Sequence, residues 1–229
     1  MSERKQSPTS EIIQVYCRLR WLRLEEPKAF QPGQAPRWEA TGILDPSDPK
    51  GKAGIQALLS AAANLCKSES SYGIVPLALK KLGVKFLGHP ALDLNDPANA
   101  DDQIKIPFTD GDDKKWGKYD GYKGMFIVAA HNSKKKPGIA DQYGKKITGD
   151  VKNPNYPSDG CYGYLSATLW LLVGKSAASY GNRVGINLRG VQFVAKGVPF
   201  TSTEIDAEDE FDALEDAAPA GPAKVDDFD

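Results

Sequence analysis

The chain has 229 residues with 29 basic and 30 acidic side chains, a net charge of −1, two histidines and three cysteines. An odd number of scattered cysteines with no CxxC pair argues against a disulfide framework and for a reducing compartment. The longest strongly apolar run, residues 169–173, is far too short to span a bilayer. The near-zero balance hides a division: residues 204–229 hold eleven acids against Lys224 alone, a net of −10, which leaves +9 on residues 1–203. Such asymmetry points to a body that meets a polyanion and an acidic segment that meets something else.

Residues 1–10 are polar, without an apolar leader core, and read as a loose arm. In "IIQVYCRLRW", Ile13, Val15, Cys17, Leu19 and Trp21 alternate with Gln14, Tyr16, Arg18 and Arg20. Period two predicts a half-buried strand whose outward face is aromatic and basic, with Trp21 on the core side. A loop punctuated by Pro and Gly, "EEPKAFQPGQAP", leads to a second strand, "RWEATGIL". Asp48 or a neighbour then caps an amphipathic helix predicted over about 50–67. A second helical piece covers roughly 75–82. Residues 88–121 are polar and rich in turns, with only "IKIPF" extended. "YKGMFIVAAHNS" predicts a third strand, "KKKPGIADQYGKKI" a basic glycine-containing excursion, "GCYGYLSATLWLLV" a fourth strand and "VGINLRGVQFV" a fifth. On the fourth, Tyr162, Tyr164, Ser166, Thr168 and Trp170 share one face. Beyond Thr203 the acidic segment, with its "AAPAGPA" hinge, is too poor in apolar residues to be given a fold. Five strands and one early inserted helix suggest a small closed barrel, a shape that removes sheet edges and in its five-stranded form binds oligonucleotides on one curved face.

Catalytic patterns do not assemble. His89 and His131 show no metal-ligand spacing. "GKS" at residues 174–176 resembles a phosphate-binding loop, but that motif requires a glycine where Leu169 stands. "DGDD" at 110–113 lacks the placement of a calcium loop. No Gly-x-Ser-x-Gly nucleophile elbow occurs. No metal or cofactor is expected, and the chain reads as a non-enzyme.

What recurs is aromatic and basic residues interleaved on strands and their loops. A single-stranded nucleic acid requires this pairing, because its phosphates attract cations and its unstacked bases offer π-faces. The candidate contacts are Tyr16, Arg18 and Arg20 on the first strand, with Arg37 and Trp38 on the second. The stretch before the third strand adds Trp116, Lys118, Tyr119, Tyr122 and Lys123. The excursion adds Lys134, Lys135, Lys136, Tyr143 and Lys145, and the last two strands add Tyr162, Tyr164 and Arg189.

The order of these pieces resembles a phage family of OB-fold single-stranded DNA-binding proteins. The similarity lies in "EEPKAFQPGQAPRWEATGIL", in "YKGMFIVAAHNSKKKPGIAD" with its N-S-x-x-K-P-G turn, in "SDGCYGYLSATLW" and in "GINLRGVQFVAKGVPF", over roughly residues 12–200. It implies a mainly β, five-stranded OB-fold barrel spanning residues 11–203, with one helix inserted after the second strand and long loops. It further implies a disordered acidic tail over 204–229. The tail resembles those of phage and bacterial single-stranded DNA-binding proteins, which end in acids with an aromatic near the terminus. Here Phe228 stands among Asp226, Asp227 and Asp229, and an aromatic anchor with acidic flanks suits docking on a basic-rimmed pocket. The expected function is sequence-tolerant binding of single-stranded DNA in phage replication, recombination or repair, in the host cytoplasm, with partner enzymes recruited by the tail. No membrane association is expected, and a homodimer stays open. The competing readings are a nucleic-acid-processing enzyme and an accessory interaction module.

Overall fold

The computed structural model describes residues 9–29, 31–67, 75–89, 100–101, 104–148, 153–178 and 181–200. In chain order the elements are β1 (Ile13–Lys28), β2 (Arg37–Leu44), α1 (Pro49–Lys67), β3 (Val75–Pro76), α2 (Leu77–Leu87), β4 (Ala100–Asp101), β5 (Phe108–Asp110), β6 (Phe126–Asn132), β7 (Gly138–Ala140), β8 (Tyr162–Leu172) and β9 (Arg183–Ala195).

β1 is the hub of the sheet: it pairs antiparallel with β2 on one side and with β8 on the other. β2 continues to β6, and β8 continues to β9, both antiparallel. A parallel contact between His131 of β6 and Asn187 of β9 closes the ring, and Asn132 reinforces it by donating from Nδ2 to the Leu188 carbonyl at 3.0 Å. The result is the five-stranded OB-fold barrel expected from the sequence, with β5 and β7 extending its edges. Inside lie Val15, Cys17, Leu19, Leu44, Val128, Leu165 and Ile186, all nearly or wholly buried. Cys17, Cys66 and Cys161 are free and buried, and burial pushes the Cys66 thiol up to about 12.

α1 lies where the sequence puts it. Asp48 accepts from the Lys50 amide at 2.9 Å, which satisfies one of the otherwise unpaired donors at a helix start. The face formed by Ile55, Leu58, Leu59 and Ala62 joins the barrel core. The insertion holds two helices rather than one. α2 runs through Gly83 to Leu87 and stops at Gly88, whose left-handed conformation (φ 77°) directs its amide to the Val84 carbonyl. Among the described residues no helix is long and apolar enough to cross a membrane.

Two details depart from the expected pattern. The alternation of β1 breaks after Arg20, where Trp21 takes φ 51° and the register with β2 shifts. This irregularity turns Trp21 out of the core side and onto the outer surface, so its expected place in the barrel core is corrected. The basic excursion also contains a strand: β7 pairs parallel with β9 through Gly138–Gly190, Ile139–Val191 and Ala140–Gln192. Of the loose arm expected over 1–10, residues 1–8 lie outside the described residues, whereas Thr9 bridges Trp170 and the Ser10 amide donates to the Leu169 carbonyl at 2.9 Å, so these two are fixed on β8. The segment after 200 also lies outside the described residues.

Candidate nucleic-acid interface

The outer face of β1 and β8 carries the first group. Tyr16 and Tyr164 are direct cross-strand partners, and their rings meet edge to face at 5.5 Å. Tyr162, 38% exposed, stacks on Tyr16 with centroids 6.0 Å apart and planes 11° off parallel. Lys50, from the first turn of α1, places its ammonium 5.0 Å from the Tyr16 ring centre. Period two presents the three tyrosines here because the residues between them, Cys17, Gly163 and Leu165, point into the barrel.

A second group covers the outer face of β1, β2 and β6. Ile43 and Ile127 point outward there, and the stretch between β5 and β6 folds over them as a small separate core with Tyr122 and Phe200. Trp21, exposed to this side by the break in β1, stands 5.4 Å from Trp116, 5.1 Å from Tyr119 and 5.8 Å from Tyr122. Lys115 lies over Trp116 at 4.8 Å and Lys118 over Tyr119 at 5.2 Å. Tyr122 is fully buried, so its place among the expected contacts is corrected: it is the floor on which Trp116 stacks, with planes 4° apart. Burial also raises its hydroxyl pKa.

Arg18 and Arg20 join the two groups. The Arg18 guanidinium lies 3.8 Å and that of Arg20 4.3 Å from the centre of the Phe200 ring. Arg18 also donates to the carbonyls of Val198 and Gly160, and Arg20 donates to the Asp120 carbonyl at 3.1 Å. Gly121, at φ 76°, permits the approach: a Cβ there would stand 2.8 Å from a Phe200 ring carbon. Between Tyr16, Tyr162, Arg18 and the Gly121 turn lies a cavity of about 220 Å³, which Asp45, Asp48 and Gly51 also line. One aromatic and cationic band therefore runs from Tyr164 across β1 to Trp116.

The other expected contacts lie apart from this band. Arg37 pairs with Glu39 at 3.2 Å, and the half-buried Trp38 donates to the Glu25 carbonyl at 3.3 Å. Lys136 pairs with Glu25 at 2.5 Å, and that hydrogen bond holds the Glu25 carboxyl below its usual range. Lys134 and Lys135 sit exposed on a turn in which Asn132 Oδ1 accepts both of their amides. Tyr143, 75% exposed, and Lys145 occupy a similar turn around Asp141. Lys123 is exposed beside Tyr122, and Arg189 is exposed on β9 next to β7. The sequence reading omitted Lys50 and Phe200 from the band. Lys50 reads as an ordinary helix residue, and Phe200 stands alone in a Pro- and Gly-bearing stretch that gives no period. Among the described residues no group of three or more His, Cys, Asp or Glu side chains gathers as a metal site. Asp226, Asp227, Phe228 and Asp229 lie outside the described residues.

The family model described as the single-stranded DNA-binding protein of Enterobacter phage Enc34 matches residues 10–220. The protein p50 of Acyrthosiphon pisum secondary endosymbiont phage 1 is 34% identical over 105 residues, which are 46% of this chain and 50% of that protein, so the match spans about half the length of that relative. The structure is similar to that of the bacteriophage Enc34 single-stranded DNA-binding protein in complex with single-stranded DNA, at TM-score 0.59 and 17% identity, over 83% of this chain and 89% of that one. A C-terminal truncation of the same phage protein gives TM-score 0.58 and 17% identity over 82% and 88% of the two chains. At that identity the likeness speaks for the fold.

Proposed function

The chain belongs to the family of the Enterobacter phage Enc34 single-stranded DNA-binding protein, and from that membership we propose that it binds single-stranded DNA without strong sequence preference and without catalysis. The observation that carries this reading is the Tyr16–Tyr162–Tyr164 cluster on the outer barrel face, continued by Arg18 and Arg20 to Trp116 and Tyr119. Stacking rings next to cations hold bases and phosphates together, and every base has a π-face, so such a surface tolerates sequence. The cationic body, +9 over residues 1–203, supplies the long-range attraction.

The role that follows is protection of single strands during phage DNA replication or recombination, in the host cytoplasm. The acidic segment with Phe228 serves as the docking peptide for partner enzymes. Supporting that assignment are its −10 charge and its single terminal aromatic. Incubating the full chain with end-labelled oligonucleotides, magnesium and an added nuclease tests the reading. Retarded, protected strands are expected. Strands cut by the chain alone, or strands left unshifted, would overturn it.

A further inference from the structure

The cavity between the two aromatic groups has walls of unlike chemistry. Tyr16 and Tyr162 form an aromatic side, and Arg18 stands at one rim. Asp45 and Asp48 also line it, and burial, followed by the nearby Asp48 charge, raises the Tyr16 hydroxyl pKa. Both carboxylates hold local turns, Asp48 as the cap of α1, yet both also line the cavity, where their charge repels backbone phosphates. A base edge is the part of a nucleotide that the two carboxylates suit.

We propose that this cavity receives one unstacked base against Tyr16 and Tyr162 and, through Asp45 and Asp48, favours bases that present an exocyclic amino group. The proposal rests on the reading of the chain as a single-stranded DNA binder and adds one selective position to an otherwise tolerant surface.

The local hydrogen bonds show how the carboxylates are held. Asp45 Oδ1 accepts from the Ser47 amide at 2.8 Å and the Ser47 hydroxyl at 2.6 Å, and Asp48 Oδ1 accepts from the Lys50 amide. Each turn uses Oδ1 and fixes its carboxylate in place, leaving Oδ2 as the acceptor to offer a ligand. The amino groups of cytosine, adenine and guanine donate to such an oxygen, and carboxylates accept from cytosine N4 in base readout generally. Thymine offers only its ring N3–H, flanked by two carbonyl oxygens that face the carboxylates with like charge. Phosphates are meanwhile held at the rim, by Arg18 and by Lys50 beside Tyr16.

The test is a fluorescence titration of the full chain with dC and dT oligonucleotides of equal length at matched salt. It compares the native chain with Asp45→Asn, Asp48→Ser and the double variant. Asparagine keeps the Oδ1 bonds of Asp45, and serine keeps the helix cap, so circular dichroism is expected to match the native chain. The dC-to-dT affinity ratio should be about fivefold or more higher in the native chain than in the double variant. The double variant should bind dT somewhat more tightly, having lost two negative charges. Equal ratios with tight binding of both strands would overturn the base pocket alone. Absence of binding to either strand by the native chain would overturn the DNA-binding reading and the pocket with it.

Discussion

The Arg18 guanidinium carbon lies 3.8 Å above the centre of the Phe200 ring, 182 residues away in the chain. Because Arg18 also donates to Val198 and Gly160, one side chain ties the end of the described fold to β1 while belonging to the cationic band. A cation over an aromatic face contributes about 0.5–2 kcal/mol, more as it is desolvated. In a double-mutant cycle of Arg18→Ala and Phe200→Leu, read by urea unfolding, a coupling of about 1 kcal/mol is expected. A coupling near zero would show that the two residues pack independently.

The aromatic residues of the band fall into two kinds, and mutation should separate them. Replacing Tyr16, Tyr162 or Tyr164 with alanine should cost roughly 1–3 kcal/mol of single-stranded DNA binding each, with little loss of melting temperature, since Tyr162 is exposed and the other two half-buried. Tyr122→Ala should instead destabilise the fold by about 3–5 kcal/mol, because it removes a fully buried aromatic under Trp116 and Phe200. If the three outer tyrosines melt the protein as Tyr122 does, the binding face is elsewhere.

What was legible in the sequence depended on period. Cys17 and Leu19 alternating with Tyr16 and Arg18 predict the β1 face correctly, because a strand pleat has one period and one answer. The same rule fails at Trp21, where a single residue at positive φ inverts the side that follows. Nothing in "RLRWLRLEE" marks the break, since Trp21 has no glycine beside it to signal left-handed backbone. The second helix is read too short because Gly83 looks like a stop, whereas the left-handed residue is Gly88. Arg37, Trp38 and Lys136 are basic and aromatic in the right proportion, but Arg37 is taken by Glu39 two residues along its own strand, and Trp38 and Lys136 go to Glu25, a partner that no local pattern reveals.

Binding should weaken steeply with salt. Each phosphate neutralised on a single strand contributes a log–log slope of about −0.7. Engagement of Arg18, Arg20 and the lysines over Tyr16, Trp116 and Tyr119 should give a slope of about −2 or steeper in poly-dT titrations. A flat response would remove the electrostatic part of the reading.

Stability should fall on mild acidification through His131. Burial, and secondarily the charge of Arg37, hold its pKa below the ordinary histidine value. Below about pH 6.5 the unfolded chain takes up a proton that the folded chain resists. Stability present at neutral pH is therefore lost as pH falls from that value towards the folded pKa. The urea midpoint should drop between about pH 7 and pH 5.5, and His131→Gln should flatten that part of the profile. An unchanged slope in the variant would assign the effect to other groups.

The last prediction concerns the acidic segment. It continues from Phe200, which packs on Arg18 and Arg20, so its −10 charge is tethered at the cationic band. A tethered polyanion competes with DNA at high effective concentration. Truncation after Thr203 should therefore tighten single-stranded DNA binding, most at low salt where screening is weak. It should also abolish the capture of replication or recombination partners that the full chain shows. Phe228→Ala separates the two effects because it leaves the charge unchanged: partner capture should fall while DNA affinity stays as it was. If truncation alters neither DNA affinity nor partner capture, the segment acts only on solubility, and the docking role assigned to Asp226, Asp227, Phe228 and Asp229 falls.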